Sequence, residues 1–233
     1  MMTAQRKEVL KLPIYNIAET FLSINGEGTH AGQLAYFIRF TGCNLRCDYC
    51  DTKWAQELAA TRAYLTAEQL YGMVKESGAQ NVTVTGGEPM IQANIGELLD
   101  LLCRDPELYV EVETNGSIDL SPQLKKPLRP AFTMDYKLSA SGMEHHMFLP
   151  NLPLLTMQDT VKFVCGSLAD LERAWEITRE YDLTHHTHVY LSPVFGSIQP
   201  ADMVEFMKEH HMTGVTLQIQ LHKVIWDPNQ QGV

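Results

Sequence analysis

Cys43, Cys47 and Cys50 stand within the run RFTGCNLRCDYCDTKW, residues 39–54, in a C-x3-C-x2-C spacing. Thiolates this close can close on one metal centre, and gaps of three and two residues suit a looping backbone better than a straight helix or strand. Cysteine packing of this kind holds iron–sulfur clusters. A cubane of four irons with only three local cysteines keeps one iron without a protein thiolate, and that open iron can take a cofactor. A zinc site is the alternative. Structural zinc usually wants four ligands, commonly as two pairs well apart in sequence, and no second C-x2-C or H-x3-H pair follows. Chance core cysteines are disfavoured because Asn44, Arg46 and Asp48 make the run polar.

Other residues could bind or position a ligand. Arg39 is the one charge in the strand-like LAYFIRFT, residues 34–41. It needs an anionic partner, either a structural ion pair or a ligand carboxylate that it clamps. In INGEG, two glycines flank Glu27. That makes either an ordinary turn or a loop whose backbone comes close to a ligand. Gly86-Gly87-Glu88-Pro89 follows NVTVT at a strand's carboxyl end, where ligand sites of parallel α/β sheets collect. Glu111 and Glu113 share one strand face, and so do Thr133, Asp135 and Lys137. Either face could be solvated or could face a site.

The elements that must position these groups are legible. Strands are expected over 15–24, 34–41, 81–85, 108–114, 131–138, 161–165, 188–192 and 215–221. Helices are expected from Thr66 to Gly78 with a Thr66/Gln69 capping box and from Ala93 to Cys103. Two more are expected, from Ser167 with Asp170 through Tyr181 and from Pro200 to His211. In VTLQIQL, Val215, Leu217, Ile219 and Leu221 alternate with Thr216, Gln218 and Gln220, whose face is either a barrel interior or solvent. Strands alternating with helices indicate a parallel α/β sheet with too few units for a closed eightfold barrel, so a curved, incomplete TIM-like βα barrel is expected.

The 233 residues, 45% hydrophobic, suit a single domain over 1–233. A formal charge of −10 disfavours a nucleic-acid surface, which needs clustered Lys and Arg. The first thirty residues lack the apolar run of a signal peptide, and no segment is long and apolar enough for a membrane span, so a cytoplasmic protein is expected. Cys103 and Cys165 sit in apolar runs and read as core residues.

The cysteine trio, with Tyr49 just before its last member, resembles the signature of the radical S-adenosylmethionine (SAM) enzymes, and TGGEP resembles the motif whose glycines lie along that cofactor's amino group. INGEG, FIRFTGCN, CDTKW, VETNGS, FTMDYKLS and LHK extend the likeness over nearly the whole chain. In that combination the sequence resembles the 7-carboxy-7-deazaguanine synthase family of the queuosine and deazapurine pathway. The resemblance implies a 4Fe-4S cluster on Cys43, Cys47 and Cys50 whose open iron chelates SAM. It also implies a magnesium ion on Thr52 and a lyase that contracts 6-carboxy-5,6,7,8-tetrahydropterin to 7-carboxy-7-deazaguanine with loss of ammonia. SAM contacts would come from Tyr49, Cys50, Asp51, Gly86, Gly87, Glu88, Asp135, Tyr136, Lys137, Ser192, Pro193, Val194 and Phe195. The pterin would meet Ile24, Asn25, Gly26, Glu27, Arg39 and Thr85, which tips Arg39 toward carboxylate binding, and no acid–base residue is assigned. A homodimer served by a reducing donor such as flavodoxin or ferredoxin is implied as well. Some relatives end near the proline matching Pro228, whereas here Asn229 to Val233 follow. The alternatives are an activase that places a glycyl radical on a partner enzyme, and a non-enzymatic iron–sulfur or zinc protein.

Overall fold

The computed structural model describes residues 13–228 and 230–233; the basic start of the chain lies outside them. The strands are β1 (Ile14–Ile24), β2 (Leu34–Phe40), β3 (Ala63–Thr66), β4 (Asn81–Gly86), β5 (Tyr109–Thr114), β6 (Ala131–Tyr136), β7 (Thr160–Cys165), β8 (His188–Pro193) and β9 (Val215–Leu217). The helices are α1 (Ala67–Ser77), α2 (Ile95–Cys103), α3 (Ser121–Leu124), α4 (Leu168–Glu180), α5 (Pro200–Glu209) and α6 (Leu221–Ile225). All the strands join one sheet in the order β3-β1-β2-β4-β5-β6-β7-β8-β9. From β2 to β9 every pairing is parallel, whereas β1 lies antiparallel to both β2 and β3. The sheet ends at β3 and β9 without closing, so the expected incomplete βα barrel is what forms.

Period-two alternation sorts the side chains of the parallel strands. Val82 and Val84, Val110 and Val112, Phe132 and Met134, and Val161 and Phe163 pack into the core with the apolar stripes of α1, α2 and α4. The intervening residues Thr85, Glu113, Thr133, Asp135 and Lys162 line a cavity on the other face. A polar interior and an apolar exterior therefore come from the same short strands.

Several boundaries differ from the expectation. β9 stops at Leu217; the Gln218 N–H still bonds the Leu191 carbonyl (2.8 Å), and Ile219 and Gln220 leave the sheet before α6. The cause is competition from the β1–β2 loop. The Gln218 side chain accepts from the Gly28 N–H (2.9 Å) and donates to the Gly28 carbonyl (3.0 Å), while the Leu221 N–H bonds the Gly26 carbonyl (3.0 Å). Ile219 consequently faces solvent, whereas Gln220 turns inward to Glu27. The Thr66/Gln69 capping box forms in full. At Ser167 only half of one does: Ser167 accepts from the Asp170 N–H, but the Asp170 carboxylate takes Ser139 and the N–H groups of Ala140 and Gly166 instead. The edge strand β3, four residues leading straight into α1, was not anticipated because so short a run carries no periodicity.

At the end of the sheet away from the cysteines, Arg129 makes a bidentate pair with Asp159, both bonds 2.7 Å, and Asp159 also accepts from the Phe132 N–H (3.0 Å) and the Thr156 N–H (2.9 Å). Both side chains are buried. Removing one partner of such a pair strands a buried charge, which costs roughly 3–5 kcal/mol. Asp159→Ala is therefore expected to lower the unfolding free energy by about that amount in chemical denaturation, while any protein that stays folded keeps its iron and sulfide content.

Candidate active site

The cysteine loop leaves β2 at Gly42 and is held against the end of β4 by backbone alone. Gly87 N–H bonds the Phe40 carbonyl (3.1 Å) and Glu88 N–H bonds the Gly42 carbonyl (2.8 Å). A Cβ on Gly87 would lie 2.1 Å from the Gly42 oxygen, and one on Gly86 2.4 Å from the Phe40 oxygen. No side chain fits at either position. On its other flank the loop is pinned by Gly42 N–H to the Ala55 carbonyl (2.9 Å) and Cys43 N–H to the Gln56 carbonyl (3.2 Å).

Cys43, Cys47 and Cys50 are free thiols and line the same cavity of about 500 Å³. Burial pushes the Cys43 and Cys47 thiols up from their ordinary range, and the neighbouring sulfur of Cys50 adds to it. Lys137 works the other way on Cys47. Three soft donors crowded in this way are relieved when a cationic centre takes their protons' place. Among the described residues no three Cys, His, Asp or Glu side chains converge where a single ion could sit. The donor set suits a cluster, in which each thiolate holds a different iron corner.

Beside the cysteines the cavity wall contains Tyr49, Asp51, Thr52, Gly86, Gly87 and Glu88, then Asp135, Lys137, Pro193, Val194 and Phe195. The Glu88 carboxylate is fully buried and accepts from Met90 N–H (2.9 Å), Thr114 O–H (2.7 Å) and Asn115 N–H (2.6 Å). It fastens the end of β4 to the end of β5. Asp135 Oδ2 pairs with Lys137 (2.8 Å), whereas Asp135 Oδ1 is buried with no protein partner, an acceptor waiting for a donor. Tyr136 points the other way: its ring packs against Phe163 and its hydroxyl donates to Glu144 (3.4 Å), so only its backbone is near the cavity. Lys137 lies over the Tyr49 ring at 5.9 Å, and Tyr49 donates to the Val164 carbonyl (3.5 Å). Thr52 donates to Asp51 (2.9 Å), and Asp51 in turn pairs with Lys223 (3.0 Å).

The same cavity is lined by Ile24, Gly26, Glu27, Arg39 and Thr85. Asn25 lies behind them; its oxygen accepts from Thr83 (2.7 Å), and its buried amide nitrogen has no protein partner. Glu27 accepts from Lys162 (3.1 Å), Ser192 (3.0 Å) and Gln220 (3.2 Å). Burial opposes its charge, but Lys162 and these bonds outweigh burial and hold it below the usual carboxylate range. The glycines flanking Glu27 answer to packing: a Cβ on Gly26 would lie 2.3 Å from His222 Nδ1, and one on Gly28 2.9 Å from a Glu111 oxygen. Arg39 keeps Glu19 on its Nε at 2.8 Å while lining the cavity, so the ion pair and the site position coexist. Thr85 donates to Glu113 (2.7 Å). Glu111 sits deeper, bonded by Thr133, and burial, helped by the charge of Glu113, raises its carboxyl to about 7.

Reading the sequence left out Glu19, Asn115, Lys162, Gln220, His222 and Lys223 as individual site members. Alternation from Arg39-type positions would have found Lys162, the one charge in an otherwise apolar strand. No local pattern brings α6 to the cavity; that is decided by its docking on the 24–28 loop. Pro228 and residues 230–233 also line the cavity mouth, and Asn229 lies outside the described residues.

Comparison with known proteins agrees with this geometry. The model of the radical SAM superfamily matches residues 37–210. The chain is 51% identical over 219 residues to the 7-carboxy-7-deazaguanine synthase of Clostridium acetobutylicum, spanning 94% of this chain and 99% of that one. The synthase of Chlorobaculum tepidum is 34% identical over 221 residues, with 94% and 97% covered. In fold it is similar to the crystal structure of QueE from Escherichia coli, with a TM-score of 0.69 at 24% identity over 89% of this chain and 94% of that one. The chain belongs to the radical SAM superfamily and, within it, to the 7-carboxy-7-deazaguanine synthase family.

Proposed function

We propose that this protein converts 6-carboxy-5,6,7,8-tetrahydropterin to 7-carboxy-7-deazaguanine and ammonia. The observation that carries the reading is one cavity lined by the cysteine trio together with Arg39, Glu27, Glu113 and Gln220. When bound, the cluster supplies the electron that cleaves SAM to a 5'-deoxyadenosyl radical, the chemistry that starts the ring contraction.

The chain's own groups bind, orient and shield. Arg39, steadied by Glu19, offers its guanidinium to the substrate carboxylate, the planar match that arginine makes best. Glu27 and Glu113 are acceptors for the N–H edge of an aminopyrimidinone, and Asn25, bonded to Thr83 behind them, supports the loop that carries Glu27. Lys162 keeps Glu27 ionised as an acceptor. Asp135 Oδ1, Lys137 and the 193–195 loop face the SAM side, where Lys137 meets a carboxylate and Asp135 accepts from an N–H or a hydroxyl. Tyr49, Trp54 and Phe195 give the wall apolar surface that keeps water from a primary carbon radical. Thr52 Oγ1, which donates a hydrogen bond to Asp51, keeps lone pairs and would be the protein's ligand to a magnesium ion. The ion would supply a positive charge to balance the substrate carboxylate.

We read residues 1–233 as one radical SAM domain working as a homodimer with a flavodoxin- or ferredoxin-like donor. Five free thiols and an oxygen-sensitive centre suit the reducing cytoplasm. Among the described residues no helix is long and apolar enough to cross a membrane.

Turnover tests the reading. The anaerobically purified, reduced protein given SAM and the carboxypterin is expected to form the carboxylated deazaguanine by mass spectrometry; 5'-deoxyadenosine without that product would favour an activase. Arg39→Gln removes a charge-assisted bond of about 1.5–3 kcal/mol, so KM for the pterin is expected to rise about tenfold or more with the cluster's absorbance unchanged. Thr52→Ala is expected to blunt the magnesium dependence of turnover and leave the cluster spectrum intact, whereas Thr52→Ser retains both; an unaltered magnesium response in the Ala variant removes Thr52 from the site.

A further inference from the structure

The three cysteine sulfurs are not equivalent. Cys43 Sγ accepts from the Leu45 N–H at 3.4 Å and from the Asn115 side-chain Nδ2 at 3.9 Å. Among the described residues neither Cys47 nor Cys50 receives an N–H bond on sulfur; Cys47 has instead the charge of Lys137 nearby.

The Asn115 amide has only one way to point. Its Oδ1 accepts from the Ser117 N–H (3.0 Å) and Ser117 O–H (2.6 Å), so a flipped amide would set N–H against N–H. Its Nδ2 also donates to Asn44 Oδ1 (3.0 Å), and Asn44 Nδ2 donates to Ser117 Oγ (2.8 Å). The Asn115 backbone N–H is held by buried Glu88 (2.6 Å). A closed ring of Asn44, Asn115 and Ser117, anchored by Glu88, thus aims one side-chain donor at one thiolate.

An N–H donor on a ligating thiolate stabilises the form with more negative charge. Hydrogen bonds to the sulfurs are among the factors that set the reduction potential of such a cluster. We propose that Asn115 is a positioning residue that raises the reduction potential of the cluster through Cys43, easing its one-electron reduction by a low-potential donor protein. This rests on reading Cys43 as a cluster ligand. The step moves one electron from donor to cluster and transfers no proton.

The test is the midpoint potential of the anaerobically reconstituted full chain, followed by electron paramagnetic resonance. Asn115→Ala is expected to move it to a more negative value by about 59 mV, a tenfold change in the oxidised-to-reduced ratio for one electron. Asn115→Asp, which keeps the shape and the acceptor for Ser117 but loses the donor, is expected to move it at least as far, and it carries the test if the Ala variant loosens the loop. Ser117→Ala leaves the Ser117 N–H to orient the amide and is expected to hold the parent value. The inference is overturned if both Asn115 variants keep the parent potential with iron and sulfide content unchanged, or if Ser117→Ala shifts it equally. A parent protein that takes up zinc and no iron overturns the cluster reading and this inference together, whereas an unmoved potential in cluster-loaded protein overturns the inference alone.

Discussion

Two backbones in van der Waals contact hold the site together. The Gly86–Gly87 peptide passes under Phe40, Gly42 and Cys43 so closely that a single methyl group would collide with a main-chain oxygen. Because parallel strands β2 and β4 end at the same level, their carboxyl ends can share the two hydrogen bonds that fix the cysteine loop. The loop itself has no regular structure to stabilise it. Its Gly42 carbonyl accepts from the strand end, and its backbone donors bond the 53–56 turn, the Ser141 and Cys47 carbonyls and the sulfurs of Cys43 and Met143, which is how an irregular segment can hold three thiols in place.

The same strand ends are joined sideways by carboxylates. Glu88 ties β4 to the turn after β5, Glu113 ties β5 to Thr85 on β4, and Glu111 ties β5 to Thr133 on β6. Lys162 and Arg39 each bond one glutamate, and Lys162 also has Asp135 at 4.0 Å. A protein of net charge −10 thus places Arg39, Lys137, Lys162 and Lys223 along a cavity where low dielectric makes them count. Buried charges are costly unless paired, and here each ammonium or guanidinium has its carboxylate while carboxylate, amide and guanidinium groups still line the cavity.

Much of this was legible from residue order. The 3.6 and 2.0 periodicities located α1, α2, α4, α5 and most strands, because each has one apolar face and the pattern is local, whereas the short α3 and α6 went unread. Reading Glu111 and Glu113 on one face was enough to put them on the interior once the sheet curved. What the pattern could not provide was the end of β9. VTLQIQL alternates through Leu221, yet the strand ends after Leu217, where the Gln218 and Gln220 side chains bond Gly28 and Glu27, nearly two hundred residues away, and the Leu221 N–H turns to Gly26. Tyr136 shows the converse: a motif residue whose side chain alternation turns out of the cavity into the core.

By themselves the residues placed three thiols too close in sequence for separate roles, a glycine pair after a strand and acids at alternate strand positions, and the resemblance of those motifs to one enzyme family implied the chemistry. Tertiary structure alone decided which distant groups complete the site. Gln220, His222 and Lys223 reach it only because the β1–β2 loop docks on α6. Those contacts depend on the packing of elements far apart in the chain, and no local periodicity encodes them.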